Sequence, residues 1–426
     1  MAVHRRPPAM QHGDGKQDVH KSSQGAEEST EEGLTGTWQT ASSMINCFIG
    51  AGILTVPYAF RLAGYASGFA LLLVAGLNWV SSILLGHALS KAARLRPDIP
   101  RAAWDLKELG GTLFGFWGRH AIAAALALEI WFALETFLIL IGINVRMLTG
   151  LPKAGVIGVA GCLGTWSMSM KMSDIAWLSC ISVWCMLGGL IALVVCGSLS
   201  SDAPGVDAHK HDFFRPQALP PSIAIFTYAF SGLPCLPNIR AGMRHTENYT
   251  RAVNMAFAFA VPYYLAVGLA GYYFFADATR ESFTLNFVAY PSMPYRHTFL
   301  VFSVVSSGLF VLKLQAGFPL YAAPILQALG YGHVGTPLPK DIMVARVVFA
   351  LVSAIFAIVA RDALSNVAEI MGALLTMSTS VLFPVSAYAA SRYAVKEPLE
   401  IWEAVGLGCI FSAGIALSFS DLTRWV

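Results

Sequence analysis

Beyond residue 37 the chain alternates between long apolar runs and short polar clusters. Eleven apolar runs are readable, at about 38–60, 64–90, 119–148, 154–170, 174–199, 219–240, 252–275, 297–328, 341–360, 364–390 and 401–420. A helix needs about 20 consecutive apolar residues to cross a bilayer, and these runs recur near that length. The short alternating segments of an outer-membrane barrel are absent. The pattern predicts an all-α polytopic membrane protein with eleven transmembrane helices, called spans 1 to 11 here. No soluble domain fits between the spans, so one membrane domain is expected over 36–426, after a tail of residues 1–35.

Composition agrees with this pattern. Over 426 residues only 12% are charged and 56% are hydrophobic, with mean hydropathy +0.59. A soluble domain carries about 25% charge, so this chain has too little to cover a water-facing surface. The net charge of +3 is too small to imply a nucleic-acid partner; membrane lipid is the expected surround. All seven cysteines fall in apolar runs or at their breaks, without a CxxC or Cys/His metal pattern. They read as small packing residues rather than a disulfide framework, and no metal or cofactor is expected. The tail is polar and mixed in charge, so it reads as disordered and cytosolic. It has no apolar core of a signal peptide; a sorting or regulatory segment is the other reading.

Orientation follows from basic residues in the loops. With the tail in the cytosol, one side collects fourteen Lys and Arg, including Lys91, Arg101, Lys171, Arg240, Lys340 and Arg346. The other side collects nine, including Arg61, Lys210, Arg215, Arg361 and Arg424. The bias puts the N-terminus in the cytosol and the C-terminus opposite. It also puts the sequon at Asn248 in a cytosolic loop, where glycosylation is not expected.

Two spans are interrupted at mid-depth. Span 1 contains Gly50-Ala51-Gly52 with Pro57 beyond it, and each glycine costs roughly 1 kcal/mol against alanine in a helix interior. Unwinding there would free peptide groups, and the half-helix beyond would turn its positive end to an anion such as a carboxylate. Close packing between backbones is the alternative use of small residues. Span 6 is interrupted by Ser231, Gly232, Pro234 and Pro237. Pro234 has no N–H and leaves the carbonyl of Phe230 without its helical donor. The two spans lie five apart, the offset of two five-span halves, and paired interruptions of this kind point to a transporter's central site.

At these residues the chain resembles a known family. The stretch NCFIGAGILTVPYAFRLAGY, 46–65, is similar to the first-helix signature of the amino acid/auxin permease family. GLPCLPNIRAGMRH, 232–245, with the Tyr-rich span 7 after it, is similar to the sixth-helix region of vacuolar and vesicular amino acid transporters. The resemblance implies a LeuT-like 5+5 inverted repeat with broken helices 1 and 6 and one extra helix. It implies secondary active transport of amino acids, with protons or in some members sodium as the coupled ion. By that likeness the substrate carboxylate meets amides at Gly50, Ala51 and Gly52. The ammonium meets carbonyls near Phe230 and Ser231, and Thr227, Tyr228 and Leu233 shape selectivity. Asn46 matches an asparagine that helps hold sodium in sodium-coupled relatives. The likeness favours a vacuolar or lysosome-like membrane over the plasma membrane.

Three ionisable groups lie inside spans. Lys313 sits well within span 8, where a lysine costs several kcal/mol unless paired, neutral or reaching water. It could stand in for sodium or exchange protons, which favours proton coupling; snorkelling to the interface is the other reading. Glu129 and Glu135 in span 3 are six residues apart and project about 120° apart, so they form no carboxylate pair. Glu135 is the expected proton relay, with Glu129 second and a structural ion pair as the alternative for either.

The remaining features are less pointed. The basic loop 239–251, with His245, reads as a solvated positive-inside loop, and the aromatics of 263–275 as packing and interface. His209 and His211 lack metal-ligand companions in the loop 201–217. No HExxH, GxSxG or Walker-type motif is present, so no enzyme chemistry is expected. The competing functions are an amino-acid-sensing receptor using the same pocket, and a sodium-coupled carrier. A membrane enzyme would need a polar catalytic cluster, and a channel would need repeats of pore-lining polar residues; neither is evident.

Overall fold

The computed structural model describes residues 35–167, 170, 172–199, 211–289, 296–328, 340–359 and 364–422. The tail 1–34, Lys171, His209, Lys210, Arg361 and Arg424 lie outside the described residues, as do the side chains of Lys340 and Arg346. Among the described residues every regular element is helical, apart from one isolated bridge between Thr35 and Met243.

Span 1 is two half-helices, Thr37–Phe48 and Val56–Ala63, with a 3-10 turn at Ala51–Leu54 between them. Spans 2 to 5 are Ser67–Leu95, Leu106–Thr149, Lys153–Ser167 and Met172–Leu199. Span 6 is also split, into Leu219–Ala229 and Leu236–Ala241 around a 3-10 turn at Leu233–Cys235. Spans 7, 8 and 9 are Tyr249–Phe275, Arg296–Ala328 and Lys340–Val359. Span 10 runs from Leu364 to Ala394 and contains two π-helical turns, Met371–Thr376 and Ser378–Leu382. Span 11 is Ile401–Leu422.

Eight of these helices are long and apolar enough to cross a membrane, among the described residues. Spans 1, 4 and 9 fall outside that group: span 1 is divided, span 4 has 15 residues, and the side chains of span 9 are described only in part. Span 3 begins earlier than its hydropathy suggests. Asp105 caps it, accepting from the Glu108 amide at 2.6 Å, and the helix then kinks at Gly115. That residue has φ of 70°, a conformation that costs glycine little and other residues much. The apolar run from about 119 is the part beyond the kink.

In lipid, burial sorts residues differently from water. The outer faces carry exposed Trp184, Trp402 and Val405, while Asn46, Glu135 and Lys313 are fully enclosed. Spans 3, 5 and 8 pack as a sheaf next to span 1, and span 10 lies against spans 2 and 6. The span 10 contact is a backbone contact. A methyl group on Gly372 would sit 1.9 Å from the carbonyl oxygen of Ala224 in span 6. Span 10 is π-helical at this point, and such turns concentrate at functional sites.

Gly372→Ala is therefore expected to destabilise the protein by about 1–3 kcal/mol, seen as a lower Tm of the purified protein in detergent. Gly406→Ala, with open space around it, is the control and leaves Tm unchanged.

Candidate functional site

The site expected from the sequence lies where the two interruptions meet. A methyl group on Gly52 would lie 2.5 Å from Cα of Ala229, at the end of span 6's first half-helix. Reciprocally, one on Gly232 would lie 2.7 Å from the carbonyl carbon of Cys47. The glycines thus serve both readings weighed for them: the helices unwind, and their backbones then touch. Thiols join the same contact, since Cys47 and Cys235 meet across it.

Unwinding leaves backbone groups without helical partners. The Ile49 amide still closes the first half-helix onto Ile45 at 2.8 Å, and the Thr55 amide bonds Gly52 at 3.0 Å. Between them the amides of Gly50, Ala51 and Gly52 donate to no acceptor among the described residues. The last carbonyls of the half-helix are held by side chains of other spans. Lys313 Nζ lies 3.4 Å from the Asn46 carbonyl, and the Tyr321 hydroxyl donates to that of Cys47. The Tyr264 hydroxyl donates to the Phe48 carbonyl at 2.8 Å and also lies 2.6 Å from that of Ala229. A hydroxyl has one proton to give, so two half-helix ends share a single donor.

This geometry sets the charge pattern. The half-helices Thr37–Phe48 and Leu219–Ala229 enter from opposite ends and both finish here. Their negative dipole ends converge, which favours a cation. The Lys313 ammonium supplies one; it is fully buried, 5.8 Å from the centre of the Phe137 ring, and no carboxylate pairs with it among the described residues.

The other expected residues divide. Asn46 turns its side chain away from the break and onto span 5, donating to Ser179 at 3.1 Å and accepting from Ser182 at 2.8 Å; only its carbonyl faces Lys313. The Phe230 carbonyl is not free, because the Gly232 amide bonds it at 2.8 Å. The loosely satisfied carbonyl is instead that of Ala229, one residue earlier. Ser231 and Leu233 are buried at the break, and Tyr228 lies beside Thr136 of span 3. The Thr227 hydroxyl bonds its own helix at Ile223, 2.9 Å away.

Glu135 does not join the site. Two residues separate it from Phe137, the residue beside Lys313, so it projects about 200° around the helix from that face. There it lies beside Trp131 and beside Ser353 and the Ala357 backbone of span 9, and Trp131 and Ser353 bond each other at 3.1 Å. Glu129, ranked second from the sequence, accepts instead from Thr379 in the π-helical part of span 10 and lies near Cys235. The angular separation of the two glutamates was the available signal. Which face meets the site is decided by packing.

Both approaches to the breaks are closed. On the side of the N-terminal segment, Thr35 pairs with the loop after span 6: its amide bonds Gly242 at 2.8 Å, and the Arg244 amide bonds its carbonyl at 3.0 Å. Arg101 ties the same loop through the carbonyls of Arg240 and Met243. On the far side Arg215 pairs with Asp212 and Asp277, while Arg61 holds the Thr279 carbonyl at 2.9 Å. His211 stacks on Tyr65 in this second seal.

Tyr264→Phe removes the donor shared by two buried carbonyls and is expected to cost about 1–3 kcal/mol. Tyr263→Phe removes a bond to one carbonyl, Met186, at 2.7 Å. The Tm of purified protein should fall further in the first variant than in the second.

Comparison with known proteins fits this architecture. The family model described as transmembrane amino acid transporter protein matches residues 33–421. Amino acid transporter AVT1D of Arabidopsis thaliana is 25% identical over 382 residues, 84% of this chain and 64% of that protein. Amino acid transporter AVT1E of the same plant is 26% identical over 58% of this chain and 47% of its own length. This chain therefore spans less than two thirds of these relatives. Amino acid transporter AVT1J, also from that plant, is 24% identical, with 84% and 83% covered. Among solved structures, the Eremococcus coleocola manganese transporter shares 13% identity at a TM-score of 0.56, over 92% of this chain and 95% of its own. MHP1, a nucleobase-cation-symport-1 family transporter, gives 14% and 0.57, over 92% and 94%. Those structures have the LeuT-like fold, and this chain shares it. The family match extends over nearly the whole membrane domain, and the chain belongs to the transmembrane amino acid transporter protein family.

Proposed function

We propose that the protein is a proton-coupled amino acid carrier working by alternating access. One observation carries this reading: three adjacent amides, Gly50 to Gly52, stand unbonded in a buried break beside the converging negative ends of two half-helices. Free N–H groups at the start of the 3-10 turn and the half-helix Val56–Ala63 suit a carboxylate. The carbonyls of Phe48 and Ala229, sharing one hydroxyl, suit an ammonium. An α-amino acid carries both groups on adjacent atoms, so its backbone end matches the site and its side chain is left to Tyr228, Ser231 and Leu233.

Entry of substrate requires the breaks to separate, since Gly52 and Ala229 touch. The seal at Thr35 or the seal at Arg215 then opens, one at a time. Lys313 occupies the cation position between spans 1 and 8 with its own ammonium, which speaks for protons over sodium as the driving ion. The tail side is cytosolic by the basic-residue bias, and a vacuolar or lysosome-like membrane fits the resemblance of the first and sixth spans.

The test is uptake into proteoliposomes of a panel of labelled amino acids, under an imposed pH gradient, with and without sodium. Accumulation should follow the pH gradient and ignore sodium; no uptake under either gradient removes the reading. Lys313→Ala is expected to change the ion dependence of that uptake, and unchanged dependence would retire its role. Gly52→Ala should weaken binding, because the added methyl prises the breaks apart; the affinity of folded variant protein, measured calorimetrically, checks it.

A further inference from the structure

Glu129 has no part in the zwitterion site, yet it is a carboxyl group 1% exposed in the middle of a membrane protein. It precedes Phe137 by eight residues, placing it about 12 Å nearer the tail side along span 3. One oxygen lies within hydrogen-bond distance of the Thr379 hydroxyl, and the other has no partner among the described residues. Thr376, one turn earlier in span 10, lies beside it with a hydroxyl that makes no hydrogen bond. Cys235 of span 6 is the titratable group facing it, Cys47 lies beyond that thiol, and no charged side chain faces it among the described residues.

An ionised carboxylate in such surroundings is very costly, and one hydroxyl is small compensation. A carboxylic acid fits better. Thr379 Oγ1 also lies 3.0 Å from the Leu375 carbonyl of its own helix, and a threonine has one proton. If Glu129 carries a proton, it donates to Thr379, whose own proton stays on Leu375. If Glu129 loses it, Thr379 must turn its proton to the carboxylate, and the Leu375 carbonyl gives up that hydroxyl. The proton state of Glu129 is thus tied to the hydrogen bonding of span 10 where that span is already π-helical.

Position adds a direction. Cys235 stands just before the half-helix Leu236–Ala241, whose following loop forms the tail-side seal with Thr35. Opening that seal moves the element that covers Glu129. We propose that Glu129 is the side chain that carries the coupling proton. It holds the proton as a carboxylic acid while the bundle is closed and releases it to water on the tail side when span 6 swings away. No bond other than O–H is made or broken, and water accepts the proton. This assignment rests on the carrier reading above.

The experiment uses the full chain in proteoliposomes with a radiolabelled mixture of the twenty amino acids. Wild type should accumulate label under an inward pH gradient and show exchange that varies with pH. Glu129→Gln should lose gradient-driven accumulation, and its exchange should become flat with pH. Should that variant fail to fold, Thr379→Val, which keeps the carboxyl group, is expected to shift the pH midpoint of exchange; an unmoved midpoint overturns the assignment. Glu129→Gln with wild-type accumulation and pH profile also overturns it, leaving the carrier reading intact. Label uptake in the wild type that ignores the pH gradient overturns proton coupling itself, and this assignment with it.

Discussion

Hydrocarbon offers no partner to a peptide group that has lost its own. An interruption of a spanning helix must therefore find new partners for its peptide groups, from side chains, from a locally tightened backbone or from a cavity. Here the repair is done by Lys313, Tyr321 and Tyr264, which reach the last carbonyls of one half-helix from spans 8 and 7. Much of the interior follows from it. Four spans are gathered on one point, two backbones are drawn into contact at Gly52 and Ala229, and a lysine is retained where lysine is otherwise expelled. The amides on the other side of the gap have no such repair, and that asymmetry is what leaves the site something to bind.

The fold was largely legible because lipid imposes simple rules on sequence. Length and hydropathy marked the spans, and glycine and proline at mid-depth marked spans 1 and 6 as broken. What stayed hidden depends on rotation and approach. Asn46 was expected to serve an ion, but its side chain is taken up by Ser179 and Ser182 across a packing contact no local pattern announces. The Phe230 carbonyl was expected to be free because Pro234 cannot donate to it. A tight turn let Gly232 donate instead. Glu135 was expected to be the relay ahead of Glu129, yet 100° per residue carries it away from the face that Phe137 shares with Lys313. Periodicity gives the angle between two residues on a helix and says nothing about which of them faces inward.

The solved structures of similar shape bear names with different cargoes, manganese for one and sialic acid for another. At 13% identity each, they share with this chain a fold. Fold and cargo are separable. Beside the break stand Tyr228, Leu233 and Ser231, with the thiols of Cys47 and Cys235 and the ammonium of Lys313.

The pairing of Thr35 with Gly242 and Arg244 is made by two main-chain hydrogen bonds and by the Thr35 hydroxyl on the Gly242 carbonyl. It fastens the start of span 1 to the end of span 6, the two elements that must part from the scaffold for the tail side to open. Under the alternating-access proposal, ends stitched together in this way would move as a single lever rather than as two independent flaps. A force applied to one of the two ends would then reach the other through two peptide hydrogen bonds.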